Sequence, residues 1–185
     1  QQPWGQTWIR PSWRMQQITV TGGIEMRSEQ EVNRAVEKYS DMIRRLCMIH
    51  LKNYADTEDI FQTVFLKYVL SSVSFENEEH EKAWLIRVTI NACRDLLKSF
   101  FRSRTVSLDS LTEQPAEMLS DHREVLEAVL ALPQKYRDVV YLHFYEDCTV
   151  PQISRILGKN VNTIYTLLTR SKKLLRETLG GEEYE

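Results

Sequence analysis

A chain of 185 residues has room for one medium domain or two small ones, and 42% hydrophobic with 27% charged residues is the balance of an ordinary globular protein. A net charge of −2 excludes a global basic footprint, and no apolar run approaches the roughly 18 residues of a membrane span. Charge is nevertheless segregated: Asp56 to Glu81 sums to −6, Lys82 to Arg104 to +5, and Asn162 to Leu179 to +3. Two basic segments beside an acidic one point to two polyanion contacts and a separate cationic partner, although solvated helix faces would give the same pattern.

Gln1 to Glu25 holds Trp4, Trp8 and Trp13 with Gly5, Gly22 and Gly23, and has no helical period. It lacks the continuous apolar stretch and cleavage site of a secretory signal, and is expected to be an unstructured upstream or cloning-derived extension.

From Ser28 the pattern becomes helical, with Val32, Val36, Tyr39, Ile43 and Leu46 on one face. Cys47 and His50 stand three apart on this helix. With no second ligand pair in view they read as a core thiol beside a surface histidine, not as metal ligands. Three cysteines (Cys47, Cys93, Cys148), odd in number and far apart, fit buried thiols in a reducing cytoplasm.

Tyr54 to Thr57 is expected to break the chain, with Asp56 or Thr57 capping a helix that buries Ile60 and Val64. Its polar face would carry Asp59, Gln62, Thr63 and Lys67. Ser71 to Glu79 reads as a loop, and Glu81 to Phe101 as a long helix with Trp84, Leu85, Val88, Cys93, Leu96 and Leu97 inward. On that helix Arg87, Asn91, Arg94 and Lys98 recur at three- or four-residue steps and share a face. Arg and Lys suit phosphates there, and Asn91 a base edge. Trp84 is either a core tryptophan or a flat stacking surface.

Periodicity lapses over Ser103 to Ser120, where Pro115, Asp109, Glu113 and Glu117 mark an acidic linker. It resumes near Asp121, stops at Pro133, and restarts through Tyr136, Val139, Val140, Leu142 and Phe144. Thr149 is placed to cap a short helix with Pro151 in its first turn, and Ile153, Ile156 and Leu157 form its apolar face. Gly158 fits a left-handed stop, and a second helix follows from about Val161 to Leu179. This is a helix-turn-helix pattern, although a plain helical hairpin would look similar. The whole chain reads as all-α, two small helical domains joined by a flexible linker, the C-terminal one a helix-turn-helix.

The C-terminal run, through Leu132-Pro133, Tyr136-Arg137, Ile153, Gly158, Thr163-Ile164 and Arg170 to Leu175, resembles region four of the sigma-70 family. Asp56 to Tyr68 resembles that family's polymerase-binding helix, and Ala83 to Arg87 with Asn91 and Asp95 its promoter-melting helix. An acidic linker in place of a middle domain is the mark of the extracytoplasmic-function (ECF) group. The resemblance covers about Arg27 to Leu179.

It implies a region two over 26–102, a linker over 103–120, a region four over 121–179 and a tail over 180–185. It further implies contact with core RNA polymerase, at the β′ clamp helices and β flap, through Asp56, Asp59, Gln62, Thr63 and Lys67. Recognition and melting at the −10 element would fall to Phe75, His80, Trp84, Arg87, Asn91, Arg94 and Lys98, with the Phe75–His80 loop capturing an extruded base. At the −35 element Asn162, Thr163, Tyr165, Thr166 and Thr169 would face DNA, while Arg170, Lys172 and Lys173 hold phosphates. Departures are Thr63, where an acid is common, Tyr165 and Leu167, where basic residues are common, and Pro151. Partners implied are core polymerase, promoter DNA and an anti-sigma factor, often membrane-bound in relatives, with no membrane insertion of this chain itself.

No Walker A loop, HExxH, dinucleotide fingerprint or nucleophile elbow is present, so no catalysis, cofactor or metal is expected. Two other readings stay open at this level. One is a stand-alone helix-turn-helix regulator with a sensor or dimerisation domain, which would bind promoter DNA tightly without polymerase. The other is a helical adaptor that never touches DNA.

Overall fold

The computed structural model describes residues 26–103 and 123–180, and among these every regular element is an α-helix. The expectations for the first 25 residues, the acidic linker and the tail from residue 181 fall outside them.

Helix α1 spans Glu29–Leu51, α2 Tyr54–Val69 and α3 Glu78–Ser103, and the three pack on one another. Ser28 opens α1 with a reciprocal capping box: its hydroxyl accepts from the Glu31 N–H, and the Glu31 carboxylate accepts from the Ser28 N–H. Ala35, Tyr39, Met42, Ile43, Leu46 and Cys47 form the buried stripe of α1, while Val32 and Val36 are only half-buried at its edge.

The chain breaks earlier than expected, at Lys52 and Asn53. Lys52 adopts the left-handed conformation (φ 55°), and Asn53, not Asp56 or Thr57, caps α2 by accepting from the Asp56 N–H at 3.0 Å. Asn is among the preferred caps, and the helix it starts carries Thr57 inside, 1% exposed. Ile60, Val64, Phe65 and Tyr68 are the buried face of α2. In α3 the innermost residues are Leu85, Ile86, Ile90, Ala92 and Cys93, with Trp84, Val88, Leu96 and Leu97 packed around them.

The second half comprises α4 (Arg123–Ala131), α5 (Gln134–Phe144), α6 (Val150–Leu157) and α7 (Val161–Leu179). Thr149 caps α6 as the sequence predicts, in a box with Gln152. Gly158 ends α6 at φ 63°, a conformation that would strain a side chain, and Asn160 caps α7 two residues later. Ser154 Oγ donates to the Lys159 carbonyl at 2.5 Å and tightens this turn. Ile153, Ile156, Ile164, Leu167 and Leu168 of these two helices are buried in the core.

The halves touch. α3 contacts α6, and α5 contacts the end of α1, so the buried apolar residues form one contiguous cluster. Trp84, Arg87 and Asn91 are not sealed by this contact; all three remain partly exposed.

Candidate nucleic-acid interface

Because Ile60, Val64, Phe65 and Tyr68 turn inward, α2 presents the opposite face outward. Asp59, Gln62 and Lys67 are exposed there, with Asp56 and Thr63 half-exposed beside them. Thr63 Oγ1 donates to the Asp59 carbonyl at 2.9 Å, so its hydroxyl proton is engaged with the helix. Partial burial, with the neighbouring Asp59 charge, holds the Asp56 carboxyl above the usual carboxylate range. The five residues predicted for a polymerase contact therefore form one polar surface.

The loop after α2 folds back onto an aromatic cluster. Phe75 stacks on Tyr68 with ring centroids 6.0 Å apart and planes at 7°, and Trp84 meets both rings edge-on at 6.1 and 5.7 Å. His80 adds an edge contact to Phe75 at 5.5 Å, and its Nδ1 accepts from the Glu76 N–H. Trp84 is thus packed and partly exposed at once, so the two roles considered for it are both compatible with its position.

Arg27, which sequence reasoning passed over, completes this cluster. Its guanidinium lies 4.5 Å from the centroids of both Tyr68 and Phe75 and donates to the Tyr68 and Val73 carbonyls. A cleft of about 320 Å³ opens beside it, between Phe75, Asn77 and Glu81.

Glu81 is the second residue missed. Only 3% exposed, its carboxylate accepts two bonds from Arg34 Nη2 (2.7 and 2.8 Å), one from Tyr68 (2.5 Å) and one from Tyr39 (3.2 Å). Burial, then the Glu81 carboxylate, pushes the Tyr68 hydroxyl up to about 12, and the same causes raise Tyr39 further. One carboxylate so fastens α1, α2 and α3 together beneath the aromatic cluster. The signal was available: an acid one helical turn before the apolar Leu85, where a solvated Glu would not be expected.

Along α3, Arg87 and Asn91 are partly exposed and Lys98 is exposed, 3.4 Å from Asp95. Arg94 lies in the same stripe but its guanidinium is directed across the seam, 2.7 Å from Asp138 of α5. All four stripe residues keep some solvent exposure, and the Arg94 guanidinium also reaches the other half.

On α7 every residue expected at DNA is exposed: Asn162, Thr163, Tyr165, Thr166, Thr169, Arg170, Lys172 and Lys173. Ile164, Leu167, Leu168 and Ser171 face inward, which is why this set stands together outward. Leu167 fills core space, which accounts for an apolar residue at a position where a basic one was considered. Lys172 lies over the Phe144 ring at 5.5 Å, and Lys173 is 3.9 Å from Glu177. Thr166 Oγ1 donates back to the Asn162 carbonyl at 2.9 Å.

His50 corrects the expectation of a surface histidine. It is 5% exposed, its Nδ1 lies 2.8 Å from Gln134 Nε2, and its Nε2 lies 3.2 Å from Asp138 Oδ1. The partners that bury it sit on α5, far away in sequence, and periodicity within α1 does not report them. Among the described residues no group of three or more His, Cys, Asp or Glu could hold a metal ion.

Two family models match this chain: sigma-70 region 2 over residues 35–104, and sigma-70 region 4 over residues 122–175. The RNA polymerase sigma factor SigV of Bacillus subtilis is 31% identical over 142 residues, which cover 75% of this chain and 85% of SigV. The ECF RNA polymerase sigma factor SigW of the same organism is 26% identical over 161 residues, covering 78% and 86%. Among solved structures, the sigma factor RpoE of Bartonella quintana, in complex with the anti-sigma factor NepR, shares the fold. Its TM-score is 0.71 at 21% identity, over 83% of this chain and 99% of that one. CnrH, solved with the cytosolic domain of CnrY, matches at a TM-score of 0.61 and 18% identity, over 84% and 92%. Two sigma motifs in order on an all-helical frame, matched by a relative along most of its length, place this chain in the extracytoplasmic-function group of the sigma-70 family of RNA polymerase sigma factors.

Proposed function

We propose that this protein binds core RNA polymerase and directs it to promoters, with residues 26–102 acting at the −10 element and 121–179 at the −35 element. The observation that carries this reading is the separation of two outward faces, the acidic and polar face of α2 and the DNA-type face of α7, on helices whose opposite sides build the core. Asp56, Asp59, Gln62, Thr63 and Lys67 meet the polymerase. Phe75, His80, Trp84, Arg87, Asn91, Arg94 and Lys98 act on the melted −10 strand. Arg170, Lys172 and Lys173 take phosphates at −35, while Asn162, Thr163, Tyr165, Thr166 and Thr169 lie against the groove.

The chain has no chemistry of its own in this scheme; phosphodiester synthesis belongs to the core enzyme, and the protein works in the cytoplasm. None of the helices in the described residues is long and apolar enough to cross a membrane. An anti-sigma partner is part of the proposal, supported by the complex with the anti-sigma factor NepR in which RpoE was solved.

The test is run-off transcription with purified core polymerase over a genomic promoter library. The expected result is initiation at a defined subset of templates only when this chain is added. Failure to support initiation on any template would overturn the proposal.

A further inference from the structure

Arg27 stands outside every helix, two residues ahead of α1, yet its side chain is only 11% exposed. Its Nε donates to the Tyr68 carbonyl at 3.1 Å, and its backbone N–H donates to the Val69 carbonyl at 3.3 Å. Both carbonyls belong to the last turn of α2, where a helix leaves acceptors without intrahelical donors and where a cation meets the negative end of the dipole. Its Nη2 donates to the Val73 carbonyl in the loop that follows. The flat face of the guanidinium bridges the Tyr68 and Phe75 rings, 4.5 Å from each centroid, and Nη1 lies 3.9 Å from Glu31 in the first turn of α1. One side chain thus joins the start of α1, the end of α2 and the loop before α3.

The loop's own hydrogen bonds are short-range. The Val73 N–H donates to Ser71 Oγ, the His80 N–H to Asn77 Oδ1, and the Glu76 N–H to His80 Nδ1. Bonds of this kind shape turns; they do not attach a loop to the body of the protein. Arg27 makes that attachment, and it lies ahead of residues 35–104, the span that the sigma-70 region 2 model matches.

We propose that Arg27 is the positioning residue of the base-capturing loop: it clamps the end of α2 and the Val73 carbonyl so that Phe75 is already in place when a −10 base is extruded. The inference rests on the function proposed above, and adds a determinant of base selectivity from outside the matched segment. Extrusion costs unstacking energy, which a pocket repays only if its walls need no further ordering when the base arrives. Tyr68 is then held twice, by Glu81 at its hydroxyl and by Arg27 at its carbonyl and ring face, and Phe75 stacks on the ring so fixed. The position demands arginine. A lysine keeps the charge, but its single ammonium lacks the planar fork that reaches two carbonyls while stacking on two rings.

The test compares the full chain with its Arg27→Ala and Arg27→Lys variants. The first readout, without polymerase, is the rate of chymotrypsin cleavage after Phe75, identified by fragment mass. Both variants should be cut there about tenfold faster, the fold-change of one lost charge-assisted hydrogen bond, while sites within α1 and α3 stay protected. The second uses holoenzyme: run-off competition between a promoter found by the library screen and its single-base variants at each −10 position. Selectivity at the captured base should fall about tenfold in both variants, with affinity for −35 duplex unchanged.

If Arg27→Ala is cut throughout α1 and α3 it has unfolded, and Arg27→Lys then carries the test. Arg27→Lys matching the unmodified chain in both readouts would overturn the proposal, and so would a released loop with undiminished −10 selectivity, which is what a merely structural role predicts. Initiation by the unmodified chain together with either result removes the role of Arg27 alone. Absence of initiation by the unmodified chain removes the promoter reading itself, so the two failures are told apart.

Discussion

Tyr68 donates its phenolic hydrogen to the carboxylate of Glu81 across 2.5 Å, and the ring that carries this hydroxyl is the one on which Phe75 stacks. The loop expected to receive an extruded base is therefore positioned by a buried acid one layer below it. Removing Glu81 leaves the Tyr39 and Tyr68 hydroxyls and Arg34 without their common acceptor. Glu81→Ala is expected to destabilise the protein by about 3 kcal/mol, as for a broken buried network. Arg34→Ala, whose side chain is half-exposed, should cost about 1 kcal/mol or less. Denaturant unfolding followed by circular dichroism compares the two, and equal costs would contradict the central role of Glu81.

The outward face of α2 can be tested without disturbing the core. Asp59→Arg combined with Gln62→Ala should change stability by no more than about 0.5 kcal/mol, because both side chains are exposed. Co-purification with core polymerase should fall severalfold. Recovery equal to that of the unmodified chain would remove this face from the interface.

Trp84 needs a gentler substitution than alanine, since it packs against Tyr68 and Phe75. Trp84→Phe retains an aromatic ring there, and Asn91→Ala removes an amide that is only partly buried. Together they should lower permanganate reactivity of the melted strand while polymerase binding persists. Footprints of undiminished intensity would refute a melting role for this pair.

On α7, Arg170→Ala should weaken binding of the holoenzyme to −35 DNA similarly for all sequences and lower the salt slope by about 1. Asn162→Ala should instead relax preference at one base position with little change in salt slope. A titration series in salt on matched and mismatched duplexes separates the two behaviours.

The pH response of the seam follows from His50. Burial holds its pKa below the ordinary histidine value; Asp138 opposes this, and Arg94 and Arg137 reinforce it. A group whose folded pKa is lowered contributes stability above its unfolded value, and that stability is lost as pH falls from about 6.5 toward the folded value. The protein should thus be less stable at pH 5 than at pH 7.5. His50→Gln, which cannot take up the proton, should flatten the dependence over that window in thermal melts.

Much of the fold was legible because it is local. The Thr149 cap, the Gly158 stop and the inward spacing of Ile164 and Leu168 all follow from interactions within a few residues, and each is found as expected. The face of α7 was legible for the same reason. What could not be read depends on partners brought together by the chain's path. His50 is indistinguishable in sequence from a surface histidine until Gln134 and Asp138 cover it. Arg94 belongs to a basic stripe by spacing alone, and only the packing of α5 shows where its guanidinium goes. The shift of the α2 cap from Asp56 to Asn53 is a closer competition, decided because Asn53 follows a left-handed Lys52 and Thr57 is drawn into the core.

Arg27 also governs how the protein can be handled. Its backbone N–H donates to the Val69 carbonyl, and its side chain clasps Tyr68 and Phe75, so Arg27 sits directly alongside the Phe75–His80 loop. A purification tag or fluorophore fused in front of Met26 would be attached one residue from Arg27, close to that loop, and would crowd it under the function proposed above. Fusions intended to report on transcription are better carried beyond Gly180, past the last turn of α7.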